Sequence, residues 1–167
     1  MAFRVVIVDD NRLFLEAARV LLERQGLSVV GVALATAEAL RQAEELEPAL
    51  VLVDIRLAEE NGFELARDLA EQDRGGRTAV ILISTHAEAD FADLIAESPA
   101  RGFLAKSELS AEAIGRILDG HSLTGSFLAA VEQARQTFGE GNFAVSQCHP
   151  DAAHPHAGYT PRLPSRL

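Results

Sequence analysis

The chain has 167 residues, 48% of them apolar, with 25 acidic and 15 basic side chains, one cysteine and no tryptophan. That length supports one globular core with chain to spare, and the lone Cys148 excludes an internal disulfide framework, as no Cys/His set has the spacing of a zinc module. Met1-Ala2-Phe3-Arg4 runs straight into an apolar stretch broken by Asp9 and Asp10, unlike a secretory leader or a membrane span. A cytoplasmic protein in a reducing compartment is therefore expected, without membrane contact. Residues 1–120 hold 22 acidic and 12 basic residues, a net −10, whereas residues 121–167 hold three of each. Such a folded part repels phosphate backbones, so direct DNA binding is not expected.

Taken in order, Val5–Val8 reads as a strand ending at Asp9-Asp10, followed by a helix from Asn11 to Gln25. Leu13, Ala17, Val20 and Leu21 form its expected buried stripe, and Gly26 its expected C′ glycine. Val29–Ala33 predicts a second strand, Thr36 the cap of a helix through Leu46, Leu50–Val53 a third strand ending at Asp54, and Gly62–Ala70 a helix. Val80–Ile83 predicts a fourth strand ending at Ser84, and Glu88–Glu97 a helix stopping before Pro99. Gly102–Ala105 predicts a fifth strand, and Ser110 caps a helix through Leu118.

Five nearly continuous apolar strands alternating with helices imply a parallel sheet buried on both faces, an α/β doubly wound domain over residues 3–119. Phe127, Val131, Ala134 and Phe138 sit at helical spacing, which predicts an extra helix within residues 120–144. Residues 145–167 contain four of the six prolines and three of the five histidines and predict a disordered tail, with Cys148, His149, His154 and His156 read as part of it and not as a metal site.

In an open parallel sheet the functional site lies beyond the carboxyl ends of the strands. There the chain places Asp9-Asp10, Asp54, Ser84-Thr85 and Lys106. Three neighbouring carboxylates repel one another unless a cation is present, and an oxygen-only donor set suits Mg2+. A lysine opposite the metal can neutralise a phosphoryl group, for which Asp54 is the candidate acceptor and the Ser84 hydroxyl a candidate donor to one oxygen.

Val8-Asp9-Asp10, Leu52-Val53-Asp54, Ile83-Ser84-Thr85 and Gly102-Phe103-Leu104-Ala105-Lys106 resemble the receiver domain of bacterial two-component response regulators. The resemblance implies the flavodoxin-like strand order 2-1-3-4-5 and phosphorylation of Asp54 by a histidine kinase or phosphotransfer protein. It implies magnesium on Asp10, Asp54 and the Arg56 main-chain carbonyl, with Asp9 acting through water. Ser84 and Lys106 would contact the phosphoryl group, and Phe103 would be the aromatic switch. Arg56 and His86 flank the site as candidate tuning residues. Output would be protein contact, with a homodimer one option. Lys106-Ser107-Glu108-Leu109-Ser110 resembles the branch whose members usually carry a C-terminal helix-turn-helix. Ser107 stands where proline commonly follows the lysine across a cis bond, which leaves two expectations, a trans loop or an absorbed strain of roughly 3 kcal/mol. Two other readings compete: an aspartyl-phosphate hydrolase of the haloacid dehalogenase type, and a pseudo-receiver that binds partners without phosphate chemistry. The first needs a second carboxylate two residues after the nucleophile, where this chain has Arg56. The second sits poorly with the presence of Asp10, Asp54, Ser84 and Lys106 together.

Overall fold

The computed structural model describes residues 3–118 and 124–138. Five strands, β1 (Arg4–Val8), β2 (Ser28–Ala33), β3 (Leu50–Asp54), β4 (Ala79–Ser84) and β5 (Gly102–Ala105), alternate with α1 (Arg12–Arg24), α2 (Thr36–Leu46), α3 (Gly62–Gln72), α4 (Ala92–Glu97) and α5 (Ala111–Leu118). A sixth helix, α6 (Thr124–Phe138), follows. All strand pairs in the main sheet are parallel, in the order β2-β1-β3-β4-β5. A separate two-stranded ribbon pairs Arg56–Leu57 with Glu60–Asn61. The tail expected over residues 145–167 lies outside the described residues.

Alternation along the strands sorts the core into two layers. Val5, Ile7, Leu50, Leu52, Ile81 and Ile83 face α1, α5 and α6, whereas Val6, Val8, Val51, Val53, Val80 and Leu82 face α2 and α3. Burial of each such side chain contributes about 1.5–3 kcal/mol, which explains why the buried stretches of the inner strands are apolar up to their carboxyl ends.

The α1 stripe differs from the expected one. Leu15, Ala18 and Leu22 are buried, while Leu13 is 82% exposed and Val20 46% exposed. Two apolar stripes run along this helix, and spacing alone does not decide which of them meets the sheet. The C-terminus does follow expectation: Gly26 has φ +97°, its N–H donates to Glu23 and that of Leu27 to Leu22, the paired bonds of a Schellman stop. At α2 the cap is extended Ala35, not Thr36. Thr36 is the first helical residue, and its N–H donates 2.7 Å to Glu60 Oε2 on the ribbon. The expected helix over Glu88–Glu97 divides into a 3-10 turn, Glu88–Phe91, and the short α4. Ser110 caps α5 as expected, accepting the Ala113 N–H at 3.0 Å. In α6, Ala130, Val131 and Ala134 are buried.

Two glycines allow close approaches. At Gly62 a Cβ would lie 2.1 Å from the Asp54 carbonyl oxygen, so α3 begins hard against the end of β3. At Gly31 a Cβ would meet Gln42 Oε1 at 2.4 Å, and the room left lets Gln42 Nε2 donate 2.8 Å to the Val32 carbonyl of β2.

Candidate functional site

The parallel register brings the strand ends together. Val8 lies beside Val53, Asp54 beside Ile83 and Ser84 beside Ala105, so the residues that leave β1, β3, β4 and β5 share one edge. Asp9, Asp54 and Ser84 are buried there, Asp10 is exposed, and carboxylate oxygens of Asp9, Asp10 and Asp54 all lie within 4.8 Å of one another.

Lys106 enters this cluster from the end of β5. Its Nζ lies 2.5 Å from Asp9 Oδ2 and 3.0 Å from Asp54 Oδ2, and 4.6 Å from the centre of the Phe14 ring, a cation–π contact. The Asp54 contact is a hydrogen bond, whereas the approach to Asp9 is an ion pair whose angles fall short of one, leaving Oδ2 buried without a directed donor. The remaining oxygens are held by main-chain N–H groups: Asp9 Oδ1 accepts from Asn11 at 2.8 Å, Asp54 Oδ1 from Arg56 at 3.2 Å and Asp10 Oδ2 from Ala58 at 3.0 Å. Asn11 in turn caps α1 through bonds from Leu13 and Phe14.

Burial raises the Asp9 carboxyl above its ordinary range; contact with Lys106 and the Asn11 N–H lowers it, but not enough to offset burial and the Asp54 charge. Burial works to lower Lys106, yet Asp9 and Asp54 together hold its ammonium above the ordinary lysine value. Three carboxylates against one ammonium leave negative charge in excess in a half-buried pocket. This hard oxygen set, the undirected Asp9 Oδ2 and the exposed Asp10 suit a small divalent cation such as Mg2+.

Of the other expected site residues, Ser84 is buried, Phe103 is half-buried and Arg56 and His86 lie at the rim. Ser84 Oγ accepts the His86 N–H at 3.0 Å, which leaves its hydroxyl hydrogen free to donate. The His86 ring is exposed and meets Phe91 edge-on at 6.2 Å. Arg56 is exposed, its backbone paired with Asn61 in the ribbon. Phe103 lies opposite Leu82, half-buried against the α2–α3 layer. The described residues contain no cis peptide, so Lys106–Ser107 is trans and the first of the two loop expectations holds. Asn11, Phe14 and Ala58 were not foreseen. Asn11 carries a readable signal, an Asx residue before an apolar helix; Phe14 and Ala58 carry none, since their roles depend on tertiary approach.

A family model described as the response regulator receiver domain matches residues 5–118. The chain belongs to that family. The receiver is 31% identical over 115 residues to the response regulator GacA of Pseudomonas viridiflava, covering 68% of this chain and 53% of that protein. Among solved structures it is similar to the signal receiver domain of NarL from Mycobacterium tuberculosis, with 32% identity and a TM-score of 0.62 over 71% of this chain and 94% of that one. It is also similar to a LuxR-family two-component response regulator from Aurantimonas sp. SI85-9A1, with 29% identity and a TM-score of 0.64 over 81% and 99%. The chain spans about half the length of curated relatives it matches. It is thus a receiver of two-component, phosphorelay signalling, a family generally without turnover activity and with magnesium held in an acidic pocket. No described helix is long and apolar enough to cross a membrane.

Proposed function

We propose that Asp54 accepts a phosphoryl group from a phosphohistidine of a sensor kinase or phosphotransfer protein, and that the chain signals through protein contact. The observation that supports this best is the setting of Asp54: a buried carboxylate at a strand end, one oxygen on Lys106 and the other on the Arg56 N–H. An Asp54 oxygen attacks phosphorus; the new O–P bond forms as the donor's N–P bond breaks, and the electron pair leaves on the imidazole nitrogen. Lys106 neutralises a phosphoryl oxygen, and the Ser84 hydroxyl donates to another. Asp9, Asp10, Asp54 and the Arg56 main-chain carbonyl would hold magnesium, which supplies positive charge to the transferring group when bound. Arg56 and His86, both at the rim, would tune loss of the phosphoryl group to water. Phe103, two residues before the partner of Ser84 on β5, would turn inward when Ser84 moves toward the phosphate, changing the α4–β5–α5 surface.

Intact mass after incubation with acetyl phosphate and magnesium tests this reading. One phosphoryl group is expected, none without magnesium, and full labelling of Asp54→Asn would reject Asp54 as acceptor. Catalytic release of many phosphates per chain would instead favour the hydrolase reading.

A further inference from the structure

Gln25 is a buried polar residue at the end of α1, with 3% exposure, and the acidic site makes no use of it. Its Oε1 accepts the Ala111 N–H at 2.6 Å, satisfying a buried donor in the first turn of α5. The next residue, Gly26, is the seat of α6: a Cβ there would lie 2.4 Å from the Ala130 carbonyl oxygen and 2.6 Å from Ala134 Cβ. Adjacent residues therefore hold the start of α5 and the middle of α6. The start of α5 is also tied to the site. Between Lys106 and Ala111 lie only a 3-10 turn, buried Leu109, whose N–H returns to the Lys106 carbonyl, and Ser110, which caps the helix.

We propose that the Gln25–Gly26 junction couples the state of the Asp54 site to the docking of α6, with Gln25 as the positioning residue that links α5 to α6. This rests on the phosphoacceptor reading above. A phosphoryl group on Asp54 draws Lys106 away from Asp9, and the short turn passes that displacement to Ala111. The Ala111–Gln25 bond then lengthens and Gln25 turns. Because α6 lies directly on the Gly26 backbone, with no intervening side chain to absorb the movement, its seat loosens.

Amide hydrogen exchange over residues 124–138 of the full chain, before and after acetyl phosphate with magnesium, tests the coupling, with intact mass taken on the same samples. Labelled protein is expected to exchange about tenfold faster in α6. Gln25→Met, which keeps the length but removes the acceptor, should label fully while α6 exchanges fast in both states. Gln25→Glu retains an acceptor at a helix N-terminus and should restore the response. No labelling of the unsubstituted chain overturns the phosphoacceptor reading itself. Labelling with unchanged α6 exchange overturns the coupling alone, and does so even where Gln25→Met fails to fold. A Gln25→Met chain that still responds removes Gln25 from the route.

Discussion

Helix α3 and the Glu88–Glu97 segment cover the same layer of the sheet but are gripped very differently. α3 buries Gly62, Phe63, Leu65, Ala66 and Leu69, whereas neither the 3-10 turn nor α4 has a fully buried residue. The second segment is held by half-buried Phe91 and Ile95, with Phe91 tilted against Phe63 at a ring distance of 6.2 Å. Six residues of helix have little stability of their own. The site thus has a firm wall, carrying Asp54, and a loosely held one, following Ser84 and His86. Chemistry needs the first to stay still, and a signal needs the second to move.

The contrast can be broken at several levels. On the firm wall, Asp54→Asn should abolish phosphoryl gain by intact mass, while Phe103→Ala, at the loose side, should leave gain largely intact and reduce the exchange difference between labelled and unlabelled protein over residues 84–110. Equal loss in both variants would place Phe103 in the acceptor chemistry. For stability, Leu65→Ala in α3, fully buried, should cost about 2–5 kcal/mol in urea denaturation, and Leu94→Ala in α4, 46% exposed, less than about 0.5 kcal/mol. Similar costs would show that α4 is gripped as firmly as α3. In the unmodified protein, amides of residues 88–97 should exchange roughly a hundredfold faster than those at the centre of α3, and comparable protection would remove the distinction.

The smallest effect concerns Glu60, which ties the ribbon beside the firm wall to α2. Hydrogen bonds with Thr36 hold its carboxyl below the usual range. A depressed folded value means the bond stabilises above the unfolded value, about 4.3, and this contribution is lost as pH falls through the folded value. Glu60→Gln should therefore show a slightly shallower fall in urea midpoint below about pH 5 than the unsubstituted chain; an identical profile would make the tie irrelevant to stability.

The strand ends were legible because each inner strand carries a buried apolar run up to the site edge, after which Asp9, Asp54 and Ser84 announce themselves as the first polar residues. The expectation of magnesium rests on carboxylate type and number, and the structure brings those three carboxylates together. The buried face of α1 was not legible, because Leu13, Ala17 and Val20 obey helical spacing as well as Leu15, Ala18 and Leu22 do. Thr36 looked like a cap because caps favour hydroxyls, yet its N–H finds Glu60, 24 residues away. Gln25 was hidden for the same reason: in sequence it is one more polar residue at a helix end, and only the approach of α5 gives it a partner.

The strand order leaves β2 and β5 as the edges of the sheet. An open edge offers unpaired carbonyl and N–H groups to a strand from another molecule, the first step of most sheet-mediated aggregation. β5 has only four residues, too short a template to recruit a stranger firmly. β2 is longer, but the Gln42 amide bonded to the Val32 carbonyl occupies one acceptor there, and it reaches that position because residue 31 has no side chain. A side chain at Gly31 would displace Gln42 and leave that acceptor open, so a substitution far from the phosphorylation chemistry would show itself first as clumping at high protein concentration.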